Sequence, residues 1–173
     1  MTPLHVSLLD APTDADLDAL TGVLMDCVRG GASVSFMNPL PREKARAFWD
    51  GVAAGVAKGE RLLYVARDGG AIVGTVQVVL AQPDNQPHRG DVSKLLVHRT
   101  ARCRGAGAAL MQAAEAGART HGKTLLVLDT ASADAERLYE RLDWQRCGVI
   151  PDYALLPDGG FCATTLYYKR IAG

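Results

Sequence analysis

Arg102-Cys103-Arg104-Gly105-Ala106-Gly107 is the stretch whose reading decides the fold. It follows an apolar run, Asp91 to His98 (DVSKLLVH), and precedes a segment in which Leu110, Ala114, Gly117 and Ala118 recur at helical spacing up to Gly122. The pattern predicts a strand, a tight turn and a helix. Glycines at 105 and 107 let the backbone approach a ligand without a Cβ in the way. The first N–H groups of a helix have no internal partner and carry positive partial charge. Main-chain amides from Cys103 through Ala108 are therefore placed to hold a diphosphate, with Arg102 and Arg104 adding fixed charge. Two common phosphate patterns do not fit. G-x-G-x-x-G would need glycine where Leu110 stands, and G-x-x-x-x-G-K-[ST] does not occur. Taken alone, these six residues also suit an ordinary glycine-rich turn.

Outward from the turn, the chain divides into short periodic elements. His5 to Leu9 is a strand candidate. Thr13 and Asp16 approximate a capping box for a helix with Leu17, Leu20, Leu24 and Cys27 on one face, ended by Gly30-Gly31. A second helix begins near Pro41 and carries Ala45, Phe48, Val52 and Val56 up to Gly59. Arg61 to Arg67 and Ala71 to Ala81 flank Asp68-Gly69-Gly70 and read as a β-hairpin. Thr124 to Leu128 (TLLVL) is nearly all apolar, which predicts a parallel strand covered on both faces. Ser132 caps a helix with Asp134 and Glu136 early and Arg137 and Arg141 late, the order its dipole favours. Trp144 to Ile150 and Cys162 to Lys169 are strands around Pro157-Asp158-Gly159-Gly160. This order predicts an α/β (α+β) fold, a mixed central sheet flanked by helices.

Composition narrows the function. The 173 residues and 18.4 kDa suit a single domain, 1–173. Lys plus Arg and Asp plus Glu are 19 each, so no net field draws nucleic acid or a membrane. Arg99, Arg102 and Arg104 lack the interleaved aromatics of an RNA-binding patch. The four cysteines include no C-x-x-C pair, and no His stands at zinc-finger spacing, so no metal is expected and free thiols are. Neither a signal-like amino terminus nor a run of about 18 apolar residues occurs, and a cytoplasmic location is expected.

The turn reads R-x-x-G-x-G and resembles motif A of the GNAT superfamily of N-acetyltransferases, where it cradles the pyrophosphate of coenzyme A. Leu95-Leu96-Val97 is similar to the end of that family's fourth strand. Ala135 to Trp144 (AERLYERLDW) resembles its A-x-x-L/F-Y-x-x-x-G-F/W motif. Asp143 stands where glycine is usual, and Asp tolerates the left-handed conformation better than most residues. Ala131 and Ser132 occupy a region where many members have Asn. Gly30 to Met37 (GGASVSFM), Asp91 to Val97 with its lysine, Leu128-Asp129-Thr130, Pro157-Asp158-Gly159 and Thr165 to Lys169 look like the tabtoxin-resistance acetyltransferases.

The resemblance implies the acyl-CoA N-acyltransferase fold and an enzyme that uses acetyl-CoA, without metal. It would acetylate a primary amine of a small molecule, amino-acid-like, peptide-like, or a toxin or antibiotic, by direct attack. A homodimer is compatible with it. The cofactor contacts it implies are Leu96, Val97, Arg102, Cys103, Arg104, Gly105, Ala106, Gly107 and Ala108, with a strand N–H of Leu96 or Val97 on the thioester oxygen. Tyr139 would protonate the leaving sulfur. The larger demand is the acceptor: an alkylamine of pKa near 10.4 costs roughly 4.6 kcal/mol to deprotonate at pH 7, whereas a thiolate, reference pKa near 8.5, leaves with less help. Asp91 and Asp129 are the candidate carboxylates for that task, directly or through water, although a carboxylate also stabilises the ammonium and each could instead only orient the substrate. Each residue also has a structural reading: Tyr139 as packing, Asp91 as a turn residue, Asp129 as a helix cap. His98 could be a base but reads rather as a solvent-exposed residue beside the arginines, and His121 as favourable to its helix dipole; Cys103 is assigned no catalytic role, since direct transfer needs no acyl-enzyme. The loops Gly30 to Leu40 and Gln82 to Gly90 are candidate acceptor walls. The contrasting function is a non-catalytic coenzyme A sensor or protein-interaction module.

Overall fold

The computed structural model describes residues 4–171. In chain order the elements are β1 (His5–Leu8), α1 (Asp14–Arg29), α2 (Arg42–Ala57), β2 (Arg61–Asp68), β3 (Ala71–Val79), β4 (Arg89–Val97), α3 (Ala106–Thr120), β5 (Leu125–Thr130), α4 (Ala133–Arg141), β6 (Gln145–Leu155) and β7 (Phe161–Arg170). A 3-10 turn at Arg99–Ala101 joins β4 to the glycine-rich turn. The strands form one seven-stranded sheet, ordered β1-β2-β3-β4-β5-β7-β6. Among the described residues only β4 and β5 pair in parallel.

Local chemistry sets the helix boundaries. Thr13 and Asp16 cap α1 reciprocally: the Thr13 Oγ1 accepts from the Asp16 N–H, and the Asp16 carboxylate accepts from the Thr13 N–H. At the end of α4, Asp143 adopts φ +62°. The Trp144 N–H then reaches the Tyr139 carbonyl at 3.0 Å and the Asp143 N–H reaches Glu140 at 3.1 Å, a Schellman closure without its usual glycine.

Two apolar layers cover the sheet. Leu20, Leu24, Val28, Trp49 and Val52 of α1 and α2 pack on Leu63, Val65 and Leu96. Leu110, Met111, Ala114 and Tyr139 of α3 and α4 pack on Val76, Val78, Leu126, Leu128 and Tyr167 on the other face. Trp49 is fully buried, with the half-buried Phe48 ring edge-on to it at 5.0 Å. The expectation that β5 is covered on both faces is corrected. Leu126 and Leu128 are buried, Leu125 and Val127 are half-buried, and Asp129 is exposed. The reason lies in pairing: β5 runs beside β4 for three residues and then follows β7 away from it.

That divergence creates the site. Arg89, Gly90 and Asp91 pair with Leu125, Leu126 and Val127, after which β4 stays with β3 and β5 with β7. Against β3 the register slips, so that Ser93 to Leu96 spans the same length as Gln77 to Thr75. Lys94 sits in this bulge with φ +52°. A bulge bends its strand and increases its twist, which turns the end of β4 away from β5.

Candidate active site

The turn after β4 is built for close backbone approach. Gly105 is the N-cap of α3, with φ +83° and no side-chain cap, and Cys103 is also left-handed at φ +58°. The first intrahelical bond runs from the Ala109 N–H to the Gly105 carbonyl at 3.1 Å. The amides before it are the donors that a helix start leaves without intrahelical partners, and such donors suit an anion. Gly107 has a different task. A Cβ there would lie 3.0 Å from Leu138, so its absence lets α4 pack against the first turn of α3.

Both arginines of the turn are engaged in bracing it. The Arg102 Nε donates to the Val97 carbonyl at 3.2 Å, and Arg104 pairs with Asp68 of β2, holding that carboxyl below its usual range. A third brace comes from Asp26, a residue the sequence reading did not single out. Its carboxylate, 9% exposed, accepts from the Arg99 N–H at 3.0 Å and from the Arg99 Nε, with His98 3.6 Å away. Burial pushes the Asp26 pKa up, but the Arg99 bonds and the charges of Arg99 and His98 outweigh it and leave the carboxyl below its ordinary value. A signal existed. An acidic residue in the last turn of a helix opposes the dipole, and Asp26 sits there among the core residues Leu24, Cys27 and Val28.

Backbone parity decides which strand amide faces the gap. The His98 N–H donates to the Val73 carbonyl at 2.8 Å, so residue 98 points its main-chain groups at β3. Alternation then directs Leu96 toward β3 and Val97 away from it. The Val97 carbonyl agrees, accepting from Arg102 and from the Cys27 thiol at 3.6 Å. Val97 therefore aims its N–H into the opening between β4 and β5.

On the far side of the opening, the Asp129 carboxylate accepts from the Thr164 hydroxyl at 2.7 Å. Tyr139 is 5% exposed, its ring against Trp144 and Tyr167 at centroid distances of 6.0 and 5.7 Å. Its hydroxyl has no hydrogen-bond partner among the described residues. Burial first, then the neighbouring Asp129 and Tyr167, push its pKa well above the usual phenol range. Lys94 reaches the same space from β4. Its Nζ donates to the Ser35 hydroxyl at 3.1 Å and lies 5.8 Å from the Phe48 ring centroid. Asp129, Tyr139 and Lys94 thus share one electrostatic neighbourhood.

Asp91 is bonded to Arg89 and sits opposite Val127, two residues before Asp129, on the last rung where β4 and β5 are still paired, six residues before Val97 and so about 20 Å from it along the strand. The segment Gln82 to Gly90 belongs to that closed end, where Arg89 binds Gln82 and Gln86. The segment Gly30 to Leu40 flanks the open end. Asn38 ties it to the β6–β7 turn through Asp158 at 2.9 Å and Pro157 at 2.9 Å. A depression of about 620 Å³ lined by His88, Thr124, Leu125, Tyr168 and Arg170 lies at the closed end and includes none of Val97, Asp129, Tyr139 and Lys94.

A glycine-led anion turn, a sheet that splits beside it and an inward strand amide are features that relatives can test. Residues 27–144 match the model of the acetyltransferase (GNAT) family. The chain belongs to the GNAT family. GNAT membership makes it an acetyltransferase that uses acetyl-CoA. An uncharacterized N-acetyltransferase encoded in the hisH-hisA intergenic region of Azospirillum brasilense is 33% identical over 131 residues, 75% of this chain and 76% of that one. Among solved structures, yncA of Salmonella typhimurium, described as an acetyltransferase with its cofactor acetyl-CoA, superposes with TM-score 0.81 at 18% identity, covering 99% of this chain and 96% of the other. The ribosomal-protein-alanine N-acetyltransferase of Brucella melitensis superposes with TM-score 0.80 at 20% identity, covering 96% and 99%. These two likenesses establish the GNAT fold. Among the described residues no His, Cys, Asp and Glu cluster could hold a metal, and no helix is long and apolar enough to cross a membrane.

Proposed function

We propose that this GNAT protein, acting as one domain over residues 1–173, transfers the acetyl group of acetyl-CoA to a primary amine of a small, amino-acid-like molecule. The observation that carries this reading is the opening between β4 and β5, faced by Val97 from one strand and shared by Asp129 and Tyr139 on the other side, beside a turn of uncapped helix amides. Acetyl-CoA fits that geometry: the uncapped amides after Gly105 suit its diphosphate, and the opening between β4 and β5 suits an extended arm. It supplies an activated acyl thioester.

The chain supplies the rest. The acceptor nitrogen forms a bond to the acetyl carbon as the carbon–sulfur bond breaks. Negative charge on the carbonyl oxygen is met by the Val97 N–H, a contact typically worth about 10²–10³ in rate. Asp129, held by Thr164, orients the incoming ammonium and receives its proton directly or through water. Tyr139, kept protonated by its surroundings, gives its proton to the departing sulfur and is reprotonated from solvent. A coenzyme A sensor needs the turn alone, and the acid and carboxylate beside it favour catalysis.

The unpaired cysteines support a reducing, cytoplasmic setting. The exposed apolar side chains of β6 and β7, with Tyr153 at 55% and Phe161 at 71%, support a homodimer formed through that hairpin. The decisive test is thiol release from acetyl-CoA against a panel of primary amines, with the acetylated product identified by mass. Release stimulated by an amine and lost in Tyr139→Phe supports the assignment. Coenzyme A binding with no amine-stimulated release overturns it.

A further inference from the structure

Lys94 is the group in this opening that the transfer chemistry does not use. Its position is costly. It stands in a β-bulge with φ +52°, a conformation that disfavours an L-residue by about 1 kcal/mol or more. Its ammonium is half-buried between the α1–α2 loop and α2, where desolvation lowers its pKa and the charge of Asp129 only partly opposes that. Ser35 is its one hydrogen-bond partner among the described residues, and no carboxylate reaches it as an ion pair. Asp129, meanwhile, is held by Thr164 and, among the described residues, is paired with no cation. The site therefore presents a cation with a hydroxyl on the β4 side and a carboxylate with a hydroxyl on the β5 side.

We infer that Lys94 and Ser35 bind a carboxylate of the acceptor while Asp129 and Thr164 receive its amine, so that the substrate class is a free amino acid whose carboxyl group is unblocked. This rests on the reading of the site as amine-acetylating and adds which second group the acceptor must carry. The two charges match the two ends of a zwitterion. Because they approach from strands that have already separated, a molecule bridging them would place its nitrogen at the β5 edge of the opening, toward which the Val97 N–H points. A charge-assisted contact to a partly desolvated ammonium is about twice as strong as a neutral one. Its loss should cost on the order of 10–100-fold in specificity for the acid.

The experiment compares each common L-amino acid with its carboxamide, alongside amines lacking any carboxylate, by thiol release in wild type, Lys94→Met and Lys94→Arg. In wild type at least one free acid is expected to exceed its amide in kcat/KM by tenfold or more. Lys94→Met should bring that ratio close to one through a raised KM for the acid, and Lys94→Arg should keep most of it. Circular dichroism melts of both variants show whether the fold is retained, and the wild-type acid-to-amide ratio decides the matter even if one variant does not fold. Equal use of acids and amides, or an unchanged ratio in a folded Lys94→Met, overturns the inference. Turnover confined to amines without a carboxylate overturns it and leaves acetyl transfer standing. No thiol release with any amine overturns both.

Discussion

Replacing Asp26 by Asn should damage the protein twice, and the two effects can be read separately. The carboxylate accepts the Arg99 N–H at 3.0 Å and the Arg99 Nε. An amide of the same shape can serve one donor with its oxygen but presents its own N–H to the other. A hydrogen bond to a charged acceptor contributes roughly 1.5–3 kcal/mol. The Arg99 side chain is 53% exposed and returns to water at little cost, so the loss should be near the middle of that range, about 2 kcal/mol. For a domain of this length that corresponds to a fall in Tm of about 4–8 °C. Sign and pH follow from the depressed pKa. The stabilisation is complete above the unfolded carboxylate value of about 3.9 and is lost as pH falls through the lower folded value. Thermal melts should therefore separate wild type from Asp26→Asn at pH 5–7 and converge in stronger acid. Because Arg99 leads into the anion turn, coenzyme A affinity measured calorimetrically should also drop, about tenfold for each 1.4 kcal/mol of turn ordering lost. A lowered Tm with unchanged affinity would refute the claim that Asp26 positions the turn, and no change in either would refute the energetic argument as well.

Tyr139→Phe should melt within about 1 °C of wild type, because the ring packing is kept and the hydroxyl has no hydrogen-bond partner among the described residues; kcat for the best amine should fall about 10²–10⁴-fold, and a loss under threefold removes the acid role. Gly107→Ala puts a Cβ 3.0 Å from Leu138 and should destabilise by about 1 kcal/mol, with Leu138→Ala added in the same chain recovering part of the specific clash in a double-mutant cycle. Asp143→Gly relieves a left-handed residue at φ +62° and should raise Tm by about 1–3 °C in a thermal melt; a decrease would mean that the Asp side chain contributes more than its backbone costs. Val97→Ala should leave kcat within a few-fold, because the contact assigned to that position is main-chain; a hundredfold loss on an amine panel would point to the side chain instead.

The order of elements was legible because hydrophobic period is a local property. The cap at Thr13, the hairpin at Asp68-Gly69-Gly70 and the left-handed Asp143 follow from neighbouring residues, and the structure contains them. Pairing between distant strands is not local. TLLVL does not show that β5 leaves β4 after Val127, so a run that reads as covered on both faces is half-buried on one of them. The same missing register left Asp91 and Asp129 equivalent on paper, although one lies at the closed end of the strands and the other at the opening. The arginines at 102 and 104 read as charge for a ligand because their partners, Val97 and Asp68, are invisible to spacing. In the sequence Lys94 stands out only within a resemblance, because the bulge that aims it is a mismatch between strands rather than a motif.

The parting of β4 and β5 has a consequence for how such a chain can change over generations. Along that seam the groups proposed to meet the cosubstrate belong to the peptide unit, which every amino acid carries. Selection can exchange the decorations on either bank freely as long as the turn keeps its glycine and the strands keep their divergence. The grip on the common reagent is thereby inherited with the shape of the chain, while the choice of what receives the acetyl group is left to a few replaceable side chains facing it.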